Sequence, residues 1–135
     1  IWRLSIMANG TIAFDTLTTS GQITGGTAKS VDTDYLVTGS AKAWVIFSGA
    51  AIETPSGRGS LNIASITDNG TGDYNPVYTN NMSDADYSGS LTCHSQRHHN
   101  MNSQTTSTVQ LLIFNTSNSA SDTSGVRMVA IGDLA

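Results

Sequence analysis

Residues 60–87, SLNIASITDNGTGDYNPVYTNNMSDADY, constrain the fold of this chain more than any other stretch. Leu61, Ile63 and Ile66 sit in a short run bounded by turn formers, the pattern of a buried strand. Asp68-Asn69-Gly70-Thr71-Gly72 follows, and Asn-Gly tolerates the positive φ values that a tight strand reversal demands. Tyr74, Val77 and Tyr78 then supply β-favouring side chains, while Pro76 marks an edge or a bulge because it cannot donate to a ladder. The stretch predicts a β-hairpin, then a polar turn leading into a further strand.

Composition extends this pattern to the whole chain. The 135 residues suffice for one domain with a sizeable core. Charged residues make up 12%, about half the usual share. Serine and threonine supply 36 residues, and short hydroxyl side chains favour turns and strands over helix interiors. Solubility then rests on hydroxyls and amides, as in an all-β protein exposed to the outside. The net charge is −4 and the six basic residues are scattered, which argues against a nucleic-acid partner. The single cysteine, Cys93, leaves no internal disulfide framework, so rigidity has to come from packing, strand pairing or oligomerisation. No apolar run is long enough for a membrane span, and none is expected to insert.

Along the chain, residues 1–10 read as an N-terminal extension and 11–135 as a single β domain. Residues 1–6 precede Met7-Ala8, which looks like an ordinary translation start. Residues 11–17 alternate weakly, as a strand or an arm. Residues 18–30 (TTSGQITGGTAKS) contain little that could form a core and suit an extended arm. Residues 31–38 return to β-type side chains. Residues 41–47 (AKAWVIF) are the most apolar segment, with Trp44 and Ile46 alternating with Val45 and Phe47, so both faces read as buried. Residues 48–60 form a loop, 87–92 a short strand, and 93–108 a long loop or a polar strand. Residues 109–114 and 126–131 are strands, separated by a polar loop at 115–125. Seven or eight short strands with long polar loops predict an antiparallel β-sandwich or jelly roll.

Chemistry is sparse. Cys93, His94, His98 and His99 are ligand types that zinc or iron prefers, but their spacing matches no standard site. Adjacent His98 and His99 would also point to opposite faces of a strand. No metal or other cofactor is therefore expected, although symmetry-related histidines could still meet on a three-fold axis. No nucleophile elbow is present, and Asp84 and Asp86 read as turn caps. Gly25-Gly26 has no helix behind it and is no phosphate loop. An enzyme is not expected.

Five segments together carry a resemblance. They are Met7-Ala8-Asn9-Gly10-Thr11, Gly39-Ser40-Ala41-Lys42-Ala43-Trp44-Val45, the hairpin from Ser65 to Tyr74, Met82-Ser83-Asp84-Ala85-Asp86-Tyr87, and the closing Met128-Val129-Ala130-Ile131-Gly132-Asp133-Leu134-Ala135. In these the chain resembles small virion-surface proteins of tailed bacteriophages, a group that includes tail-fibre tips. The likeness runs from Met7 onward with gaps at 48–60 and 93–108. It implies a β-rich homotrimeric module on the virion surface, in contact with other virion proteins.

Two functions follow from that resemblance. As a fibre-type or receptor-binding module, the chain would contact the host envelope, with a surface glycan as candidate ligand and Tyr74, Tyr78, Asn80 and Tyr87 as candidate ligand-binding residues. Strand packing is the competing account of those tyrosines. As a head-decoration or cement protein, it would use its Gly/Thr-rich arm at 18–30 to hold neighbours.

Overall fold

The structure is a computed structural model that describes residues 22–24, 30–51 and 58–135. The expected extension at 1–10 and the segment 11–17 lie outside these residues. The chain divides into two compact units, 1–33 and 34–135. In the first, strands β1 (Gln22–Thr24) and β2 (Ser30–Asp32) pair antiparallel, Gln22 opposite Asp32. Both lie at or next to the stretch expected to be an arm.

Residues 31–38 depart from the expectation of a strand. Only Val31 and Asp32 are extended, and α1 (Thr33–Gly39) follows as a seven-residue helix. Local signals account for the change. Asp32 and Thr33 are good helix starters, Asp34 places a negative charge in the first turn, and Gly39 ends the helix. These outweigh the β preference of Tyr35, Leu36 and Val37.

The second unit contains eight further strands in two antiparallel sheets. One sheet has the order β4–β3–β10–β7, formed by Ser60–Leu61, Ala41–Phe47, Val126–Ile131 and Ser88–Cys93. The other has the order β5–β6–β9–β8, formed by Ile63–Gly70, Asp73–Tyr78, Gln110–Phe114 and His98–Asn102. The described chain is thus nearly all β, with two antiparallel sheets sharing one core as in a β-sandwich. Strands β3 and β10 span the residues predicted for them, 41–47 and 126–131.

Every second residue points inward. Ala43, Val45 and Phe47 on β3 meet Val126, Met128 and Ala130 on β10 and Leu91 on β7. Tyr74 and Tyr78 on β6, with Leu111 and Ile113 on β9, come from the opposite sheet. The Phe47 and Tyr74 rings meet edge to face across the core, centroids 5.3 Å apart, which joins the two layers at one point.

Two features of the 60–87 stretch differ from the single buried strand expected at its start. Asn62 has φ 57°, and this left-handed residue breaks the run into β4 and β5, which belong to different sheets. Leu61 consequently stays exposed, and Ile63 and Ile66 are only half buried on an edge strand. The hairpin itself forms as predicted, with β5 and β6 antiparallel and Gly70 and Gly72 both at positive φ in its turn. Pro76 is fully buried in a central strand rather than at an edge. Its missing N–H coincides with an interruption: β6 pairs with β9 at Asp73 and Tyr74, and contact resumes only at the Val77–Thr108 bridge.

Candidate functional site

A groove lies on the outer side of the β4–β3–β10–β7 sheet of the second unit. Inward-pointing residues on β3 and β10 leave Lys42, Trp44 and Ile46 on the other side of β3, and Arg127, Val129 and Ile131 on the other side of β10. Strand register assembles them into rows. Leu61, Trp44, Val129 and Ser90 stand side by side, and Ile46, Arg127 and Thr92 form the next row. Trp44 and Arg127 are diagonal neighbours, within reach of each other's long side chains.

This finding corrects the expectation that residues 41–47 are buried on both faces. Val45 and Phe47 are buried, whereas Trp44 and Ile46 are only half covered. A solvated antiparallel sheet normally alternates apolar-in with polar-out. Here the outer side is apolar along its centre. Between the rows lies a shallow groove of about 230 Å³, lined by Trp44, Ile46, Val129, Ser90, Thr92 and Arg127 over backbone from Val45 and Met128.

Beside Arg127 at the groove lie residues 124 and 125. Arg58 Nη1 donates to the Ser124 carbonyl (3.0 Å), and His94 Nδ1 lies 3.3 Å from Ser124 Oγ. Next to them, a methyl group on Gly125 would stand 3.2 Å from His94 Cβ and 3.6 Å from Arg127 Nη1. Arg58, His94 and Arg127 therefore surround residues 124 and 125, although the chain as a whole is acidic. The four strands of this sheet contain Lys42 and Arg127 and no carboxylate. Arg127 has no hydrogen-bond or ion-pair partner among the described residues.

The tyrosines singled out from the sequence lie elsewhere. Tyr74, Tyr78 and Tyr87 are 0%, 4% and 6% exposed and belong to the core. Tyr74 donates its hydroxyl to Asp122 Oδ1 (2.5 Å), an oxygen that also accepts the Gly72 amide at 2.8 Å. Tyr78 donates to the Tyr87 hydroxyl (3.1 Å), which donates in turn to the Thr108 carbonyl (3.2 Å). Burial pushes all three phenols above their ordinary pKa, and the Asp122 carboxylate raises Tyr74 further. These rings satisfy one another and the loops around them, and none is presented to solvent. Asn80 is exposed, and its backbone N–H and C=O are held by the Asn62 side chain.

The cysteine and histidines are dispersed. Cys93 ends β7 on the inner side, half buried, and burial raises its thiol against the opposing pull of Arg97 and Arg127. His94 sits in the following loop. His98 pairs with Phe114 and His99 with Ile113, so the two imidazoles leave opposite faces of β8. His98 Nδ1 bonds Asn118 Oδ1 at 2.6 Å, whereas His99 lines a polar cleft of about 410 Å³ between β7 and β8. Among the described residues, no three His, Cys, Asp or Glu side chains converge to hold a metal ion.

Trp44, Arg127, Ser90 and Thr92 escaped sequence reasoning because strand pairing joins residues 44, 90 and 127 from three separate segments. One signal was legible. Lys42 shares the parity of Trp44 and Ile46, and a lysine on that side of the strand indicates that it reaches water. Comparison of the chain with known protein families, with curated proteins and with solved structures gives no match.

Proposed function

We propose that this chain is a surface module of a tailed-bacteriophage virion, of the fibre or receptor-binding type, which contacts the host cell envelope. In this proposal it works as a homotrimer of jelly-roll-like domains on the outside of the particle, with the segment at 18–30 serving as an arm toward neighbouring virion proteins. The resemblance of five sequence segments motivates the assignment to a virion. The observation that supports recognition is the outer groove of the β4–β3–β10–β7 sheet. It offers an aromatic ring, two hydroxyls and a guanidinium with no partner among the described residues, on a floor of three paired strands. Ligand sites combine an apolar lining with a few placed polar groups in this way. Three copies on one particle would raise the effective concentration of the second and third contacts, so a weak individual site suffices.

The test is binding of the purified, fluorescently labelled chain to cells of the producing phage's host, with sedimentation to establish the number of copies. Saturable binding by a trimer, lost on Trp44→Ala with the fold intact, supports the proposal. Absence of cell binding, together with particles that lose head stability when the protein is missing, would replace it with a decoration role.

A further inference from the structure

We infer that the groove on the β4–β3–β10–β7 sheet takes a carboxylate-bearing sugar, such as a uronic or sialic acid unit of a surface glycan. This rests on the proposed recognition role and specifies the chemistry of its ligand. The inference is carried by the juxtaposition of Trp44 and Arg127, diagonal neighbours on adjacent strands, with Ser90 and Thr92 on the next strand.

Each group matches one feature of such a sugar. A pyranose ring has an apolar C–H face that packs against an aromatic side chain, and Trp44 lies partly exposed between Gly59 and the neighbouring Ile46 and Val129. Its ring hydroxyls need hydrogen-bonding groups at the edge of that platform. Ser90 stands in the same row as Trp44 and Val129, and Thr92 in the same row as Arg127. A carboxylate is recognised best by a guanidinium, whose planar fork donates two parallel hydrogen bonds. Arg127 has no hydrogen-bond or ion-pair partner among the described residues, and the Arg58 guanidinium lies nearby at the Ser124 carbonyl.

Charge separates this occupant from a second copy of the chain. The sheet carries no Asp or Glu, so a second copy packed through this same face would bring no carboxylate from it to Arg127. An anionic ligand meets the opposite sign. The groove, about 230 Å³, is also on the scale of one or two sugar units rather than of a protein interface.

Isothermal titration of the purified full chain tests this with a panel of acidic oligosaccharides, containing glucuronate, galacturonate or sialic acid, against neutral oligosaccharides of equal length. At least one acidic sugar should bind about tenfold or more tightly than its neutral counterpart, the difference one charge-assisted bond supplies. Arg127→Gln should remove that preference while leaving the melting temperature unchanged, because the side chain is exposed and unpaired. Arg127→Lys should restore part of it. Trp44→Ala should weaken acidic and neutral sugars alike. Equal binding of both classes, or cell binding that persists while no acidic sugar binds, overturns the ligand class and leaves the recognition role standing. If neither cells nor sugars bind, the recognition role fails as well. A change in the number of copies on Trp44→Ala or Arg127→Gln would assign the face to self-association and refute the inference.

Discussion

Raising the pH above 10 should unfold this chain steeply, because three buried phenols must lose their protons. Tyr74, Tyr78 and Tyr87 have pKa values above the ordinary 10.0, first because burial penalises the phenolate. Below about pH 10 the folded and unfolded chains both keep these protons, so the stabilisation is whole. Above it the unfolded chain releases them while the folded chain holds on. The unfolded state then binds fewer protons, and stability falls as pH rises. Tyr74 and Tyr78, the two most strongly shifted, each contribute a slope of about 1.4 kcal/mol per pH unit, so together they approach about 3 kcal/mol per unit, and Tyr87 acts in the same direction. A domain of this size has a stability on the order of 5–15 kcal/mol, which such a slope removes within roughly two to five units. Urea unfolding followed by circular dichroism between about pH 9 and pH 11.5 measures the slope. Tyrosinate absorbance over the same range should rise together with the loss of structure. Tyr78→Phe should reduce the slope by about 1.4 kcal/mol per unit, since it removes one of the three protons. Stability that stays flat to about pH 11.5, or full tyrosinate absorbance from a still-folded chain, would refute the buried placement of these rings.

Further substitutions probe particular contacts. Gly72→Ala should destabilise by roughly 2–4 kcal/mol in a denaturant titration, because the residue sits at φ 69° and an added methyl would collide with the Ile113 carbonyl oxygen. Phe47→Ala removes a ring that is 1% exposed and packed on Tyr74, and should cost about 3–5 kcal/mol, whereas Trp44→Ala, at a partly exposed ring, should cost less, about 1–2 kcal/mol. Equal melting-temperature losses for the two would show that Trp44 is core after all. A chelator should leave the melting temperature unchanged, since no closed set of ligands lies among the described residues; a loss restored by a transition metal would contradict this.

The legible parts of the fold were those with a local cause. Residues 126–131 alternate in sequence as they do in space, and Asn69-Gly70 before a β-favouring run specifies a hairpin through backbone conformation alone. Asn62 shows where local evidence stops. Asparagine adopts the left-handed region at modest cost, but whether it does so here depends on β4 and β5 finding partners in two different sheets. Strand β8 was equally hard to place, because HHNMN has no apolar alternation and is held in the sheet by its pairing with β9. The groove lies further still from local evidence. Trp44 looks the same in sequence whether its face meets a second layer or water, and only the position of the opposite sheet decides between them. That sheet covers Val45 and Phe47 and leaves Trp44 and Ile46 outside. The tyrosines had the reverse fate: residues suited to a sugar by chemistry were taken up by the core, where Asp122 and Thr108 satisfy two of their hydroxyls. Which side chains this sheet offers to a partner is therefore decided by which of its faces stays uncovered, and the aromatic and cationic side chains left there are Trp44, Lys42 and Arg127.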